Sequence, residues 1–170
     1  MDKRLSIIIP TAECEGKKFL PRCLDSIKNQ SYPAHEVLVM DEGKVAHNMN
    51  QGIKKATGDI IKILCHDDFL ARPSSLEEIA SAWNRPWLVS SCLHDIGEED
   101  FVARHLPGWN DYVHLGCNTI GGLSVLAFEN KDLFFTEGLD WVVDVDFYKR
   151  AFLKYGLPTF LMTKNVVIGC

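Results

Sequence analysis

The 170-residue chain has no long apolar run. Its first cluster is Ile7, Ile8 and Ile9, ended by Pro10, whereas a membrane span needs ~18–20 such residues. The start, MDKRLSIIIP, also lacks the ~7–15-residue apolar stretch and small-residue cleavage site of a secretory leader. The expectation is a soluble, cytoplasmic protein. No C-x-x-C pair occurs among Cys14, Cys23, Cys65, Cys92, Cys117 and Cys170, and their spacings suggest no disulfide framework. Free, mostly buried thiols are expected. Positive charge is scarce: 18 Lys and Arg against 23 Asp and Glu leave a net charge of -5. That excludes a protein that coats nucleic acid, which needs cations to neutralise phosphates. A small phosphorylated ligand stays open, because a bound cation can supply the missing charge. The phosphate loop G-x-x-x-x-G-K-[ST] and the dinucleotide fingerprint G-x-G-x-x-G are both missing. So are internal repeats, low-complexity tracts and linkers. Hydrophobic residues at 46% and charged residues at 24% then indicate one ordinary globular unit.

The first half alternates strand and helix patterns. Leu5–Ile9 is a short β-branched strand. Phe19, Leu20, Cys23, Leu24 and Ile27 recur at helical spacing, with Pro21 tolerable in a first turn. Glu36–Met40 (EVLVM) is a second strand. Val45, Met49, Ile53 and Ala56 mark a helix ended by Gly58, and Asp59–Leu64 (DIIKIL) is a third strand. Leu76, Ile79, Ala80 and Trp83 form a helix after Pro73, and Trp87–Ser91 is another strand. Such alternation implies parallel strands with right-handed crossovers. Ligands then sit at the C-terminal strand ends, here Pro10–Glu15, Asp41–Lys44 and Cys65–Phe69. The second half is less regular. Glu98–Gly116 reads as loop or short strands and Ser124–Phe128 as a strand. Trp141, Val142, Val145, Tyr148, Ala151, Phe152 and Tyr155 form a helical stripe ended by Gly156. Thr159–Ile168 is a last strand or two.

Three acidic groups stand out. Asp67 and Asp68 are adjacent at the end of the third strand. Side-by-side carboxylates repel unless a cation compensates, and oxygen ligands suit Mg²⁺ or Mn²⁺. Two solvated loop acids are the plain alternative. Asp41, before Glu42 and Gly43, is either an acceptor for a nucleobase or ribose or part of a simple turn. Asp140 reads as the N-cap of the last helix. Asp144, one turn further on, is either a general base or a compensation for the helix dipole. Cys65, His66, Cys92 and His94 have zinc-ligand residue types, but neighbours on a strand point apart and no C-x-x-C anchors them. A Cys65–His66–Asp67 triad fails because consecutive residues do not chain nucleophile, base and orienter.

Together these segments resemble family 2 glycosyltransferases with the GT-A fold. SIIIPT, KKFLPRCLDSIKNQSYP and EVLVMDEG are similar to the family's first strand, helix and second strand. MNQGIKKATGDIIKILCHDDFLARPSSL resembles the stretch leading into its D-x-D motif. GCNTIGGLSVLAFENKDL resembles the acceptor-side strand region, and WVVDVDFYKRAFLKYG the helix of the catalytic base. The resemblance implies a Rossmann-like, three-layer α/β/α sandwich with a mostly parallel central sheet. It implies one domain over 1–170, with a nucleotide-sugar half (1–92) and an acceptor half (93–170). The expected activity is inverting, non-processive, metal-dependent transfer of a sugar from a nucleotide-diphosphate donor, UDP-linked, to a glycan, lipid-linked or other hydroxyl acceptor. Thr11 and Glu13 border the nucleotide, Asp41 contacts the base, and Asn50 matches a helix asparagine. Asp67, with Asp68, carries Mn²⁺ or Mg²⁺. Asp144 is the general base, followed by Asp146 and Arg150.

The chain also departs from the pattern. Cys65 replaces the first acid of the D-x-D, and Val143 replaces a common acid before Asp144. Glu42 and Gly43 replace a longer turn. Residues expected between Gly43 and Asn48 and after Ile168 are missing, as in a pared-down core. A non-catalytic sugar-nucleotide or glycan-binding module is the competing reading. A nucleotidyltransferase is a third, disfavoured because PTAECEGKK supplies only Gly16 to a loop that is glycine-rich in that class.

Overall fold

The computed structural model describes residues 3–11, 18–95 and 101–169, with the side chains of 101–103 excepted. Leu5–Pro10 forms β1, buried along its whole length. A strand buried on both faces belongs inside a covered parallel sheet. β1 pairs in parallel with β2 (Glu36–Met40) on one edge and β3 (Ile60–Ile63) on the other. Helix α1 (Leu20–Lys28) joins β1 to β2, with Pro21 in its first turn, where a missing N–H costs nothing. Helix α2 (Val45–Lys55) joins β2 to β3 and packs on β1 and β2. Its close seat requires Gly52: a Cβ there would stand 2.5 Å from Ile8 Cγ2.

The chain continues through β4 (Phe69–Leu70), α3 (Ser75–Ala82), β5 (Trp87–Asp95), β6 (Phe101–His105), β7 (Leu126–Glu129), α4 (Val143–Tyr155) and β8 (Thr159–Gly169). The eight-stranded sheet runs β2-β1-β3-β7-β5-β8-β4, with β6 beside β5. Strands β1, β2, β3, β5 and β8 share one direction, while β4, β6 and β7 oppose them. The architecture is Rossmann-like α/β, and the sheet is mixed rather than purely parallel. The cause is the connection into β7. No helix carries the chain back to the starting edge. A 3₁₀ turn at Leu123–Val125 enters β7 at the edge where β3 ends, so Ala127 lies opposite Lys62 and Glu129 opposite Ile60.

Element identities follow the sequence patterns closely, with several differences. Helix α2 ends at Lys55 and is capped at Ala56, not at Gly58. Ser124 and Val125 lie in the 3₁₀ turn rather than in a strand. The two-residue β4 pairs with β8 and carries too few residues to show a period. Helix α4 begins at Val143, so Trp141 and Val142 fall outside its buried stripe. Asp140 is not the N-cap; that position is Val142. Behind α4, Phe128, Phe135 and Phe147 pack ring to ring, and Trp87 stacks on Tyr148. Of the cysteines, Cys23 and Cys92 are buried free thiols, Cys65 is half-buried and Cys117 exposed; Cys14 and Cys170 lie outside the described residues. Among the described residues, no helix is long and apolar enough to cross a membrane.

Gly52→Ala tests the close seat of α2. In an ordinary helix this change stabilises by ~0.5–1 kcal/mol. Here the added methyl must displace Ile8, at a cost of about 1–3 kcal/mol. Thermal unfolding is expected to show a lower Tm, and in Gly52→Ala/Ile8→Ala, which removes Cγ2, the loss is expected to be smaller than the sum of the two single changes.

Candidate active site

The C-terminal ends of β1, β2 and β3 meet at one edge. At the end of β1, Thr11 is buried, and its backbone N–H donates to the Met40 carbonyl at 2.8 Å. Its own carbonyl accepts from Asn48 Nδ2 at 2.8 Å, and the same amide donates to Gly43. Asn48 therefore ties together the loops after β1 and β2. Asp41 stands exposed at the end of β2. Glu13 lies outside the described residues. Asn50 turns away from this edge. Its amide donates to the Phe135 carbonyl and to Glu137, and its oxygen accepts from Phe135 N–H. Its place is to fasten α2 to residues 135–137.

Beyond β3 the chain turns sharply through Cys65, His66, Asp67 and Asp68. Ligand atoms of Cys65, Asp67 and Asp68 lie within 4.8 Å of one another. Asp68 is buried, and its Oδ1 accepts from Gly169 N–H at 2.8 Å. Burial, helped by repulsion from Asp67, pushes its carboxyl up to about 7, against hydrogen bonds from Ser124 and Gly169. The Asp67 carboxylate makes no hydrogen bond or ion pair among the described residues, so it is free to accept a ligand. Its backbone is held instead. Arg22 Nη2 donates to the Asp67 carbonyl at 3.2 Å, Nη1 pairs with Asp95 at 2.9 Å, and the guanidinium lies over the Phe69 ring. A Cβ on Gly169 would meet the Asp67 carbonyl at 2.9 Å, so glycine there lets β8 pass close to this turn.

Cys65 contributes little to a hard cation. Burial drives its thiol well above the ordinary value, so it stays protonated, and Mg²⁺ and Mn²⁺ prefer oxygen. The two carboxylates are the fitting donor set. The zinc-type constellation does not assemble. His66 Nδ1 faces the Pro10 carbonyl at 3.2 Å, and Cys92 lies 3.9 Å from His94. Cys65, Asp67 and Asp68 are the metal-capable group among the described residues.

Beneath this turn lies Lys62, fully buried. Its ammonium donates to the Ser124 carbonyl, and burial pulls its pKa down to about 7. Ser124 Oγ accepts from Cys65 N–H at 2.8 Å and also hydrogen-bonds Asp68. Neither Lys62 nor Ser124 carries a sequence signal for this place, since a lysine in DIIKIL looks like a solvent-facing strand residue.

Across from the turn, Asp144 enters from the first turn of α4. Its Oδ2 accepts from Asn118 Nδ2 at 2.8 Å. Burial pushes its carboxyl upward, while the Val145 and Asp144 backbone N–H groups and Asn118 pull it back. The Asn118 loop is itself fixed: Asn118 Oδ1 accepts from Ile120 and Gly121, and the Tyr148 hydroxyl lies 3.0 Å from the carbonyls of both Gly121 and Gly122. Asn118 is missed by sequence reasoning; the only signal was an asparagine in the glycine-flanked GCNTIGG. Asp146 and Arg150 pair with each other at 2.7 Å, and brace Thr136 and Phe134 rather than the cleft.

A cleft of about 340 Å³ joins the two acidic groups. Asp67 and Asp68 stand on one side and Asp140 and Asp144 on the other, with Val45, Trp141 and Val142 at its rim. Among the described residues, no Lys or Arg lines it. Asp140 is paired with Lys44 at 2.6 Å. Val142 has φ 59° and ψ 20°, a left-handed conformation that costs a β-branched residue about 1–3 kcal/mol. Chemically, the cleft offers a carboxylate pair able to hold a divalent cation, facing a third carboxylate poised to take a proton.

The model of glycosyl transferase family 2 matches residues 6–47. No curated protein matches the chain in sequence. Several solved structures share its fold. S. aureus TarS 1–349 in complex with UDP aligns with TM-score 0.76 and 15% identity, covering 98% of this chain and 60% of that one. Mannosyltransferase PcManGT from Pyrobaculum calidifontis, in complex with GDP-Man and Mn²⁺, aligns with TM-score 0.64 and 16% identity, covering 100% and 57%. Glucosyl-3-phosphoglycerate synthase from Mycobacterium tuberculosis, with Mn²⁺, UDP and phosphoglyceric acid, gives TM-score 0.65, 12% identity and coverage of 98% and 69%. The chain thus spans 60% of the length of the TarS structure.

Replacing Asp67 by Asn tests the unpartnered carboxylate. It removes the repulsion with Asp68 and breaks no hydrogen bond. In EDTA the variant is expected to melt ~1–3 °C above the parent. A lower Tm would mean that Asp67 has a structural partner.

Proposed function

We propose that this chain, a GT-A protein of the glycosyl transferase family 2 kind by its fold and its opening segment, transfers a sugar from a nucleotide-diphosphate donor to an acceptor hydroxyl with inversion. One observation carries the reading: Asp67 and Asp68 face Asp144 across a single cleft at the C-terminal edge of the sheet. That is where open α/β sheets bind ligands. The similar structures with UDP, GDP-Man and Mn²⁺ support a nucleotide-sugar donor and a divalent cation, Mn²⁺ or Mg²⁺. We assign a UDP-linked donor, with residues 1–92 taking the donor and residues 93–170 the acceptor.

In this reading Asp41 contacts the base, and Thr11 and Glu13 border the nucleotide. Oxygens of Asp67 and Asp68 hold the cation. When bound, it stabilises the charge that develops on the leaving diphosphate. A cleft lined by four carboxylates needs such a counter-charge to accept a diphosphate. Asp144 takes the proton from the acceptor hydroxyl as that oxygen bonds to the anomeric carbon. The bond from that carbon to the diphosphate oxygen breaks, and the nucleoside diphosphate leaves. Asn118 fixes the Asp144 carboxylate for this task. Arg22 fixes the Asp67 turn through its backbone. The second reading, a binding module without turnover, draws support from the neutral Cys65 thiol where the family has an acid. Donor hydrolysis or transfer over long incubation separates the two.

Three measurements test the reading. In a thermal-shift panel of UDP- and GDP-sugars, a donor at ~100 times its Kd is expected to add ~2.7 kcal/mol of stability. The shift is expected to need Mn²⁺ or Mg²⁺ in the parent and to vanish in Asp67→Asn; an equal shift in EDTA removes the metal from the reading. Asp144→Asn is expected to keep donor binding and to lose ~10²–10⁴-fold in kcat. Undiminished transfer rules Asp144 out as the base. Finally, Asn118 donates to ionised Asp144 and holds its pKa down. Without that bond the base titrates higher, so the acid limb of the pH–kcat profile in Asn118→Ala is expected to move to higher pH.

A further inference from the structure

Of the described large hydrophobic side chains left at the surface, Trp141 is the most exposed, at 85%. It does not hang from a loose loop. On one side Asp140 is tied to Lys44 at the start of α2. On the other side Val142 takes the left-handed conformation, and its carbonyl accepts the Asp146 N–H that starts α4. Val142 is the one non-glycine with positive φ among the described residues. A helical Trp141 would continue the α4 stripe. The strained turn ends that continuity and leaves the indole on the rim of the cleft shared by Asp67, Asp68 and Asp144. Strain of this kind persists only where the surroundings enforce it, and it gathers at functional sites.

An indole carried on a braced backbone at the mouth of a polar cleft offers one thing that the acids cannot: a flat, apolar, electron-rich face. The ligand face that complements it is a flat array of weakly positive C–H groups. One side of a pyranose ring is such a face. We propose that Trp141 is a platform for the apolar face of a pyranose ring, setting that ring beside Asp144. This rests on the reading of the cleft as a sugar-transfer site. The ring belongs either to the donor or to the acceptor.

The test compares the parent with Trp141→Phe and Trp141→Leu, all at saturating Mn²⁺. Calorimetry and tryptophan emission follow titration with UDP, UDP-GlcNAc, GDP and GDP-Man. Methyl glycosides of glucose, mannose and N-acetylglucosamine are titrated onto protein saturated with UDP. Trp141→Leu is expected to fold with an unchanged Tm, because the side chain is exposed. It is expected to lose about tenfold in affinity for one class of sugar-bearing ligand and to keep its affinity for UDP and GDP. Trp141→Phe, which keeps an aromatic face, is expected to recover most of the loss. A deficit in UDP-GlcNAc or GDP-Man relative to the bare diphosphate places the donor ring on Trp141; a deficit in a methyl glycoside places the acceptor ring there. An equal loss for UDP and UDP-GlcNAc would mean base stacking or loop collapse and overturns the platform. So does a Trp141→Leu protein that matches a donor-binding parent throughout. A parent that binds none of the four nucleotides removes the transfer reading itself, and the platform with it.

Discussion

Two groups that water ordinarily solvates, the Lys62 ammonium and the Asp68 carboxylate, are buried at the end of β3. Burial of unpartnered polar groups is expensive, so the fold must bring partners to them. Ser124 is the shared answer: its carbonyl takes Lys62, and its hydroxyl meets Cys65 N–H and Asp68. Ser124 can reach this place because the chain enters β7 from the ligand-binding edge. The antiparallel placement of β7 is thus what seats the second half of the chain against the metal-capable turn. It also sets the Asn118 loop, which directly precedes that entry, against α4.

Three of the four carboxylates that line the cleft have different surroundings. Asp68 is buried and hydrogen-bonded by the last strand, so it fastens the turn to that strand. Asp67 keeps its side chain free, while Arg22 holds its backbone. Asp144 is partly screened from water and oriented by one amide. Burial against three hydrogen bonds leaves its carboxyl above the ordinary value.

Much of this was legible in the residues. Hydrophobic period revealed β1, β2, α2, α3 and most of α4, because local burial on one or two faces leaves a local pattern. The edge-clustering of Asp41, Asp67 and Asp68 followed from strand ends, and Asp144 from its place in the last helix. What stayed hidden depended on distant partners. The direction of β7 is decided by where the preceding turn enters the sheet, not by LAFE itself. Asp140 has N-cap chemistry, yet Lys44 claims it and the strained Val142 takes the cap. Asn50 looked like a ligand-side asparagine, but its amide is used by Phe135 and Glu137. Asn118 carried no periodic signal, since its role exists only when α4 and its own loop are in contact.

The hydrogen bond from Gly169 to Asp68 joins residues 101 positions apart in sequence. Loop closure over that distance is slow compared with local helix formation. During synthesis, a chain that has emerged through β7 already holds every acid of the β3 turn, yet lacks the strand that clasps one of them. Asp144 is likewise added late, on α4. The cleft that these acids line is therefore among the last features to form, and a truncated or half-folded copy presents the acids without the cleft. The hydrogen bond from Gly169 to Asp68 thus becomes a measure of whether the final strand has docked.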